Sequence, residues 1–137
     1  MTAAIGTPSI QVLLIEPDGL VRSTVASVCR ELELVRMHQA TSLAMGEQWL
    51  QTWKADGLML SLADPDAALD LLGRLRSGDF RCEANIPVAV MAPACDADML
   101  KRMKELDVRR FLLQPFKLRD VIQTVEQLWP AEEKVDA

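Results

Sequence analysis

Val12-Leu13-Leu14-Ile15 is an unbroken apolar run, and a run of this kind suits a strand buried on both faces, since a half-wet strand alternates. Val21, Val25, Val28 and Leu32 follow at spacings of four, three and four, which places them on one face of a helix. The same alternation of apolar run and amphipathic stretch continues to the C-terminus. Leu34 to Ala40 reads as a second strand. Thr41 or Ser42 can cap the helix that follows, and that helix carries Trp49, Leu50 and Trp53 toward the core. Gly57 to Leu62 is the third strand, and Leu69, Leu71, Leu72 and Leu75 mark the third helix. After a polar loop from Ser77 to Asn85, Ile86 to Met91 forms a fourth strand with Pro87 tolerated at its start. Asp96 or Asp98 can cap a helix that buries Met99, Met103 and Leu106. Phe111 to Leu113 is a short fifth strand, and Leu118, Val121, Ile122, Val125 and Leu128 form the last helical face.

Five strands alternating with five helices predict a three-layer α/β domain with a parallel sheet between two helical layers. The predicted domain spans 10–129, with an N-terminal extension at 1–9 and a polar tail at 130–137. No apolar run approaches the ~20 residues needed to cross a bilayer. The first eight residues lack the basic start and apolar stretch of a signal peptide, so the chain reads as cytoplasmic. Three cysteines without C-x-x-C spacing, Cys29, Cys82 and Cys95, argue against a disulfide framework and a zinc site. Cys29 reads as small core filler. The lone histidine, His38, ends or follows an edge strand and reads as a surface residue. A net charge of −5 offers no general attraction to nucleic acid. Neither DNA nor a membrane is an expected partner.

In open parallel sheets the functional crevice lies beyond the carboxyl ends of the strands. The residues there are Glu16 to Asp18, Ser61 to Pro65, Ala92 to Ala94, and Gln114-Pro115.

Those segments resemble the receiver domains of bacterial two-component response regulators. Leu13-Leu14-Ile15-Glu16-Pro17-Asp18 with Leu20-Val21-Arg22 is similar to the opening strand, acidic cluster and first helix of that family. Ile86 to Ala92 resembles its fourth strand, and Phe111-Leu112-Leu113-Gln114-Pro115-Phe116 its closing strand and Lys-Pro-Phe turn. The resemblance covers about residues 10 to 129 and implies a flavodoxin-like (βα)5 fold with strand order 2-1-3-4-5. It also implies phosphoryl transfer from a histidine kinase to an aspartate after the third strand, assisted by Mg²⁺ on acidic residues after the first.

Position by position, the residues that would perform that chemistry are missing. The acceptor position falls on Ser61, whose hydroxyl cannot form an acyl phosphate, and the principal metal-binding position on Pro17. Glu16 keeps a carboxylate, and Asp18 reads as a helix cap. The switch hydroxyl becomes Ala92 and the lysine becomes Gln114. One carboxylate is too few to hold a hard divalent cation, so no metal and no cofactor are expected. Nor does a neutral Ser61 imitate a phosphorylated aspartate. The resemblance further implies a cis Gln114-Pro115 bond. Phe111 takes the place of the aromatic that reports activation; with Ala92 small, it has room to turn inward permanently.

Two further sites stay open as alternatives. Asp64 would serve as a displaced phosphoacceptor, although Asp64-Pro65 also reads as a helix N-cap with proline at the first position. Cys95 would serve as a redox-sensing thiol, or as a plain loop residue. Ser61 as a serine-kinase target competes with its reading as a small polar strand end. His38 reads as surface, not as a phosphorelay histidine. An enzyme is not expected, because no glycine-rich phosphate loop, no nucleophile–histidine pair and no converging carboxylates are present.

One charge asymmetry stands out. Lys101, Arg102, Lys104, Arg109, Arg110, Lys117 and Arg119 crowd a span whose only acids are Glu105 and Asp107. Such a face sets partner choice and association rate. The expected partner is a histidine kinase, an output protein or a second copy, meeting the fourth helix, fifth strand and fifth helix. Asp56, Asp64, Asp66 and Asp70 offer a complementary acidic patch on another copy or protein.

Overall fold

The structure, a computed structural model, describes residues 9–130. Most of the expected extension (1–8) and of the expected tail (131–137) lies outside the described residues. Along the chain run β1 (Gln11–Ile15), α1 (Gly19–Glu31), β2 (Arg36–Ala40), α2 (Leu43–Thr52) and β3 (Gly57–Ser61). They are followed by α3 (Pro65–Arg76), β4 (Val88–Ala92), α4 (Ala97–Glu105), β5 (Arg110–Leu113) and α5 (Leu118–Leu128). The strands form one parallel sheet in the order β2-β1-β3-β4-β5. This is the expected flavodoxin-like (βα)5 arrangement.

Strand alternation divides the core into two. Leu13, Ile15, Leu58, Leu60, Val88 and Val90 face α2, α3 and α4, meeting Leu50, Leu69, Leu72 and Met103. Val12, Leu14, Met59, Ala89 and Met91 face α1 and α5, meeting Val25, Cys29, Val121, Val125 and Trp129. Every residue of β3 and β4 is buried, as central parallel strands require. Burying a leucine such as Leu60 contributes about 2 kcal/mol.

Helix starts follow local chemistry. Asp18, Ser42, Asp64 and Asp96 each accept hydrogen bonds from first-turn amides of α1, α2, α3 and α4. Pro65 opens α3, where its missing N–H costs nothing. At α5 the Asp120 carboxylate instead reaches back to the Lys117 amide, 3.1 Å away.

Several expectations need correction. Trp53 is not carried to the core: α2 ends at Thr52, and Trp53, the C-cap, is 58% exposed. Leu32 likewise sits past the end of α1 as its C-cap and is exposed. In both cases the periodic spacing outlasts the helix. Strand β4 starts at Val88, because the Ile86 amide closes a turn onto the Glu83 carbonyl. His38 does not end β2 but lies inside it, half-buried. Its ring packs against that of Trp49 with centroids 4.9 Å apart and planes tilted by 38°, and its Nε2 lies 2.7 Å from Gln11 Oε1. Met99 and Leu106 of the fourth helical segment are only partly buried, with Met103 taking the core position.

Two contacts hold the layers close. Gly57 begins β3 directly beneath the Trp129 indole, where any Cβ would collide with Nε1, Cε2 and Cζ2. Arg76, ending α3, donates from Nε to Leu106 O (2.8 Å), from Nη1 to Ala84 O and Ile86 O (both 2.8 Å), and from Nη2 to Asp107 O (3.1 Å). One guanidinium thereby joins α3, the end of α4 and the loop before β4. Among the described residues no helix is long and apolar enough to cross a membrane.

Candidate functional site

The carboxyl ends of β1, β3 and β4 bring Glu16, Ser61 and Ala92 to the rim of the sheet, with Gln114 following β5. Glu16 is buried, 3% exposed, and its amide bonds the Ala40 carbonyl at 3.1 Å, which continues the pairing of β1 with β2 by one residue. Its Oε2 accepts from the Asp18 amide at 3.0 Å, while Oε1 is buried without a hydrogen-bond partner. Pro17 is exposed and brings no side-chain oxygen. The Asp18 Oδ1 is committed to the Leu20 and Val21 amides at 2.9 and 3.1 Å. Arg22 folds back over this loop and donates to the carbonyls of Glu16 at 2.8 Å and Pro17 at 3.5 Å.

Ser61, 7% exposed, ends β3, and its Oγ accepts from the Ala63 amide at 3.2 Å. Ala92 is buried at the end of β4, and its carbonyl accepts from the Gln114 amide at 2.8 Å. The Gln114-Pro115 bond is cis. Phe111 is partly buried and packs against the core cluster on the α2–α4 side of the sheet. Asp64 is exposed at the head of α3, its Oδ1 3.4 Å from the Ala67 amide. Cys95 is exposed in the loop before α4, its Sγ 3.5 Å from the Asp96 carbonyl.

Burial raises the Glu16 carboxyl above its ordinary value of 4.5, and the Asp18 carboxylate adds to the effect. The Asp18 amide, the Ser61 hydroxyl and Arg22 pull the other way. Ser61 lies near enough to favour the ionised form, yet no well-aligned bond reaches Oε1, so desolvation dominates. A carboxyl whose folded pKa is raised stabilises the fold fully below 4.5 and loses that contribution as pH rises through its folded value. The always-neutral E16Q variant, which retains an acceptor for the Asp18 amide, is therefore expected to melt a few degrees above the wild type at about pH 7.5. The difference should shrink as the pH falls to about 4 in thermal melts followed by circular dichroism. A gap that is constant with pH would remove Glu16 as its source.

Mg²⁺, the ion that the resemblance to receiver domains implies, takes a near-octahedral set of oxygens and is held by carboxylates that can turn toward it. Here one carboxylate oxygen is free but enclosed, the neighbouring position is proline, and Asp18 is spent on a helix cap. Among the described residues no three His, Cys, Asp or Glu side chains group to hold a metal. This donor set does not fit Mg²⁺.

The basic face also needs one correction. Arg102 is not free: its guanidinium bridges Asp66 and Asp70 of α3, each at 3.2 Å. The acidic patch envisaged for another copy is thus engaged within the chain. Asp66 and Asp70 hold Arg102, Asp64 caps α3, and Asp56 accepts from the Gln11 amide at 2.8 Å. Residue spacing alone could have paired Asp66 and Asp70, one helical turn apart, but not chosen Arg102 for them.

No family model matches the sequence, and no curated protein matches it. Solved structures do. A response regulator from Thermotoga maritima is 18% identical, with a TM-score of 0.76 over 91% of this chain and 99% of its own. The non-phosphorylated HemR receiver domain from Leptospira biflexa is 21% identical, with a TM-score of 0.77 over 93% of this chain and 100% of its own. An orphan response regulator of H. pylori is 18% identical, with a TM-score of 0.77 over 90% and 98%. Identities this low speak for architecture, and the architecture is unambiguous: the chain has the fold of response-regulator receiver domains.

Proposed function

We propose that the chain serves two-component or related signalling as a protein-binding module that takes no phosphoryl group. The observation that carries this reading is the rim of the sheet. Phosphoryl transfer to a receiver needs an acyl acceptor and a cation to neutralise the phosphoryl oxygens. Ser61 supplies a hydroxyl instead of a carboxylate, and Glu16, the single buried acid among the described residues, is flanked by proline. Function then rests on surface recognition, and the face around α4, β5 and α5 supports that role. Among the described residues Lys101, Lys104, Arg109, Arg110, Lys117 and Arg119 form no side-chain ion pair, unlike Arg102. Unpaired cations on an otherwise acidic protein favour a partner of opposite charge.

Incubation with acetyl phosphate and Mg²⁺, followed by intact mass spectrometry, tests the reading. The expected spectrum is unchanged. A gain of one phosphoryl mass overturns it, and if that gain disappears in D64N, Asp64 is the acceptor.

A further inference from the structure

Strand β5 is an outer strand of the sheet: β4 lies on one side, and among the described residues no strand lies on the other. Such an edge presents unpaired backbone donors and acceptors, and natural proteins shorten, cover or charge it. Here β5 is four residues long and carries one charge, Arg110, the other three residues being apolar. Leu113 is 54% exposed, and a groove of about 250 Å³ runs between β5 and α5, lined by Arg110, Leu112, Phe116, Asp120, Gln123 and Thr124; its one acid, Asp120, accepts from the Lys117 amide at 3.1 Å. The Thr124 hydroxyl in that wall is buried without a hydrogen-bond partner.

We propose that β5 accepts an extended, acidic segment of a partner protein as a sixth strand. This rests on the reading above that the basic face meets the partner, and it names the partner's chemistry. Main-chain pairing along an edge strand supplies affinity, and alternate side chains supply specificity. An added strand would direct one set of side chains over the α5 face of the sheet, into the groove beside Phe116 and Thr124. Its neighbours would meet the unpaired cations around the edge, Arg109, Arg110, Lys117 and Arg119. Charge also decides against a second copy as the occupant. Pairing β5 with β5 of another molecule would set the same cations against one another, with the acids Asp66 and Asp70 already held by Arg102.

Heptapeptides displayed on phage and panned against the full chain test the idea. The expected sequences alternate Asp or Glu with apolar residues. The strongest is then synthesised twice, once plain and once with alternate backbone nitrogens methylated on its β5-facing edge. Methylation is expected to weaken binding at least tenfold, because it removes strand pairing and leaves the charges intact. The R110E/K117E double variant is expected to weaken it to a similar degree, while its circular dichroism and melting remain those of the wild type. Binding that survives methylation but falls on charge reversal overturns strand addition and leaves the basic face as the docking surface. Selection that enriches no acidic sequence, or peptides indifferent to both changes, overturns the proposal together with the basic-face reading. The absence of phosphoryl uptake is read separately, by mass, and stands or falls without this experiment.

Discussion

Replacing Arg76 with methionine is expected to cost about 4 kcal/mol of folding stability, more than most single changes in a domain of this size. The methionine stem fills much of the same space, so the loss isolates the guanidinium. Four carbonyls, those of Ala84, Ile86, Leu106 and Asp107, lose their charged donor together. A buried acceptor left unpaired costs on the order of 1–3 kcal/mol, and those on the exposed side recover part of that from water. Burial lowers the Arg76 pKa, with nearby Arg109 acting in the same direction and Asp107 against it. An arginine still stays charged throughout the accessible pH range, so the staple does not switch off. R76K should recover less than half of the loss, since an ammonium has three donors and no planar fork. Urea titration gives the answer: the midpoint should fall for R76M with the slope unchanged. A loss under about 1 kcal/mol would mean that water satisfies those carbonyls unaided.

The second large effect is expected at the base of β3. G57A should destabilise by about 3 kcal/mol, because the new methyl enters space held by the Trp129 ring, which is itself buried in the core. The Trp129 indole N–H is itself buried without an acceptor. W129F therefore removes an unsatisfied donor as well as ring volume, and it should cost less than its lost area implies. The two positions touch, so the double variant G57A/W129F should cost less than the sum of the singles, by about 1 kcal/mol or more. Strict additivity in the same denaturation series would show that the collision is relieved elsewhere.

The fold was legible because buried parallel strands leave a continuous apolar signature, as at Val12 to Ile15 and Val88 to Met91. The caps at Asp18, Asp64 and Asp96 were legible for a local reason: a short polar side chain answers amides only two or three residues away. What escaped depends on endings and on distance. Spacing carried Leu32 and Trp53 into the core, but the chain leaves its helix before either can point inward. β2 begins at Arg36, two residues later than the apolar pattern from Leu34 suggests, because its half-exposed residues, Met37 and His38, give no clear alternation. At the rim, the substitutions at Ser61, Pro17, Ala92 and Gln114 could be read directly, since each is a statement about which atoms are present. The partner of Arg102 could not: Asp66 and Asp70 lie 36 and 32 residues away in sequence, and only the packing of α4 on α3 brings them together.

That bridge carries a toll for anything approaching α4. A visitor that draws Arg102 outward must first release it from both α3 carboxylates, and the same event loosens the seating of one helix on the other. Solvated pairs of this kind are worth at most about 1 kcal/mol each, so the toll is at most about a thirtyfold change in affinity, not a lock. By reciprocity, whatever fastens α4 more firmly to α3 makes that arginine harder to recruit, and whatever recruits it frees the helix.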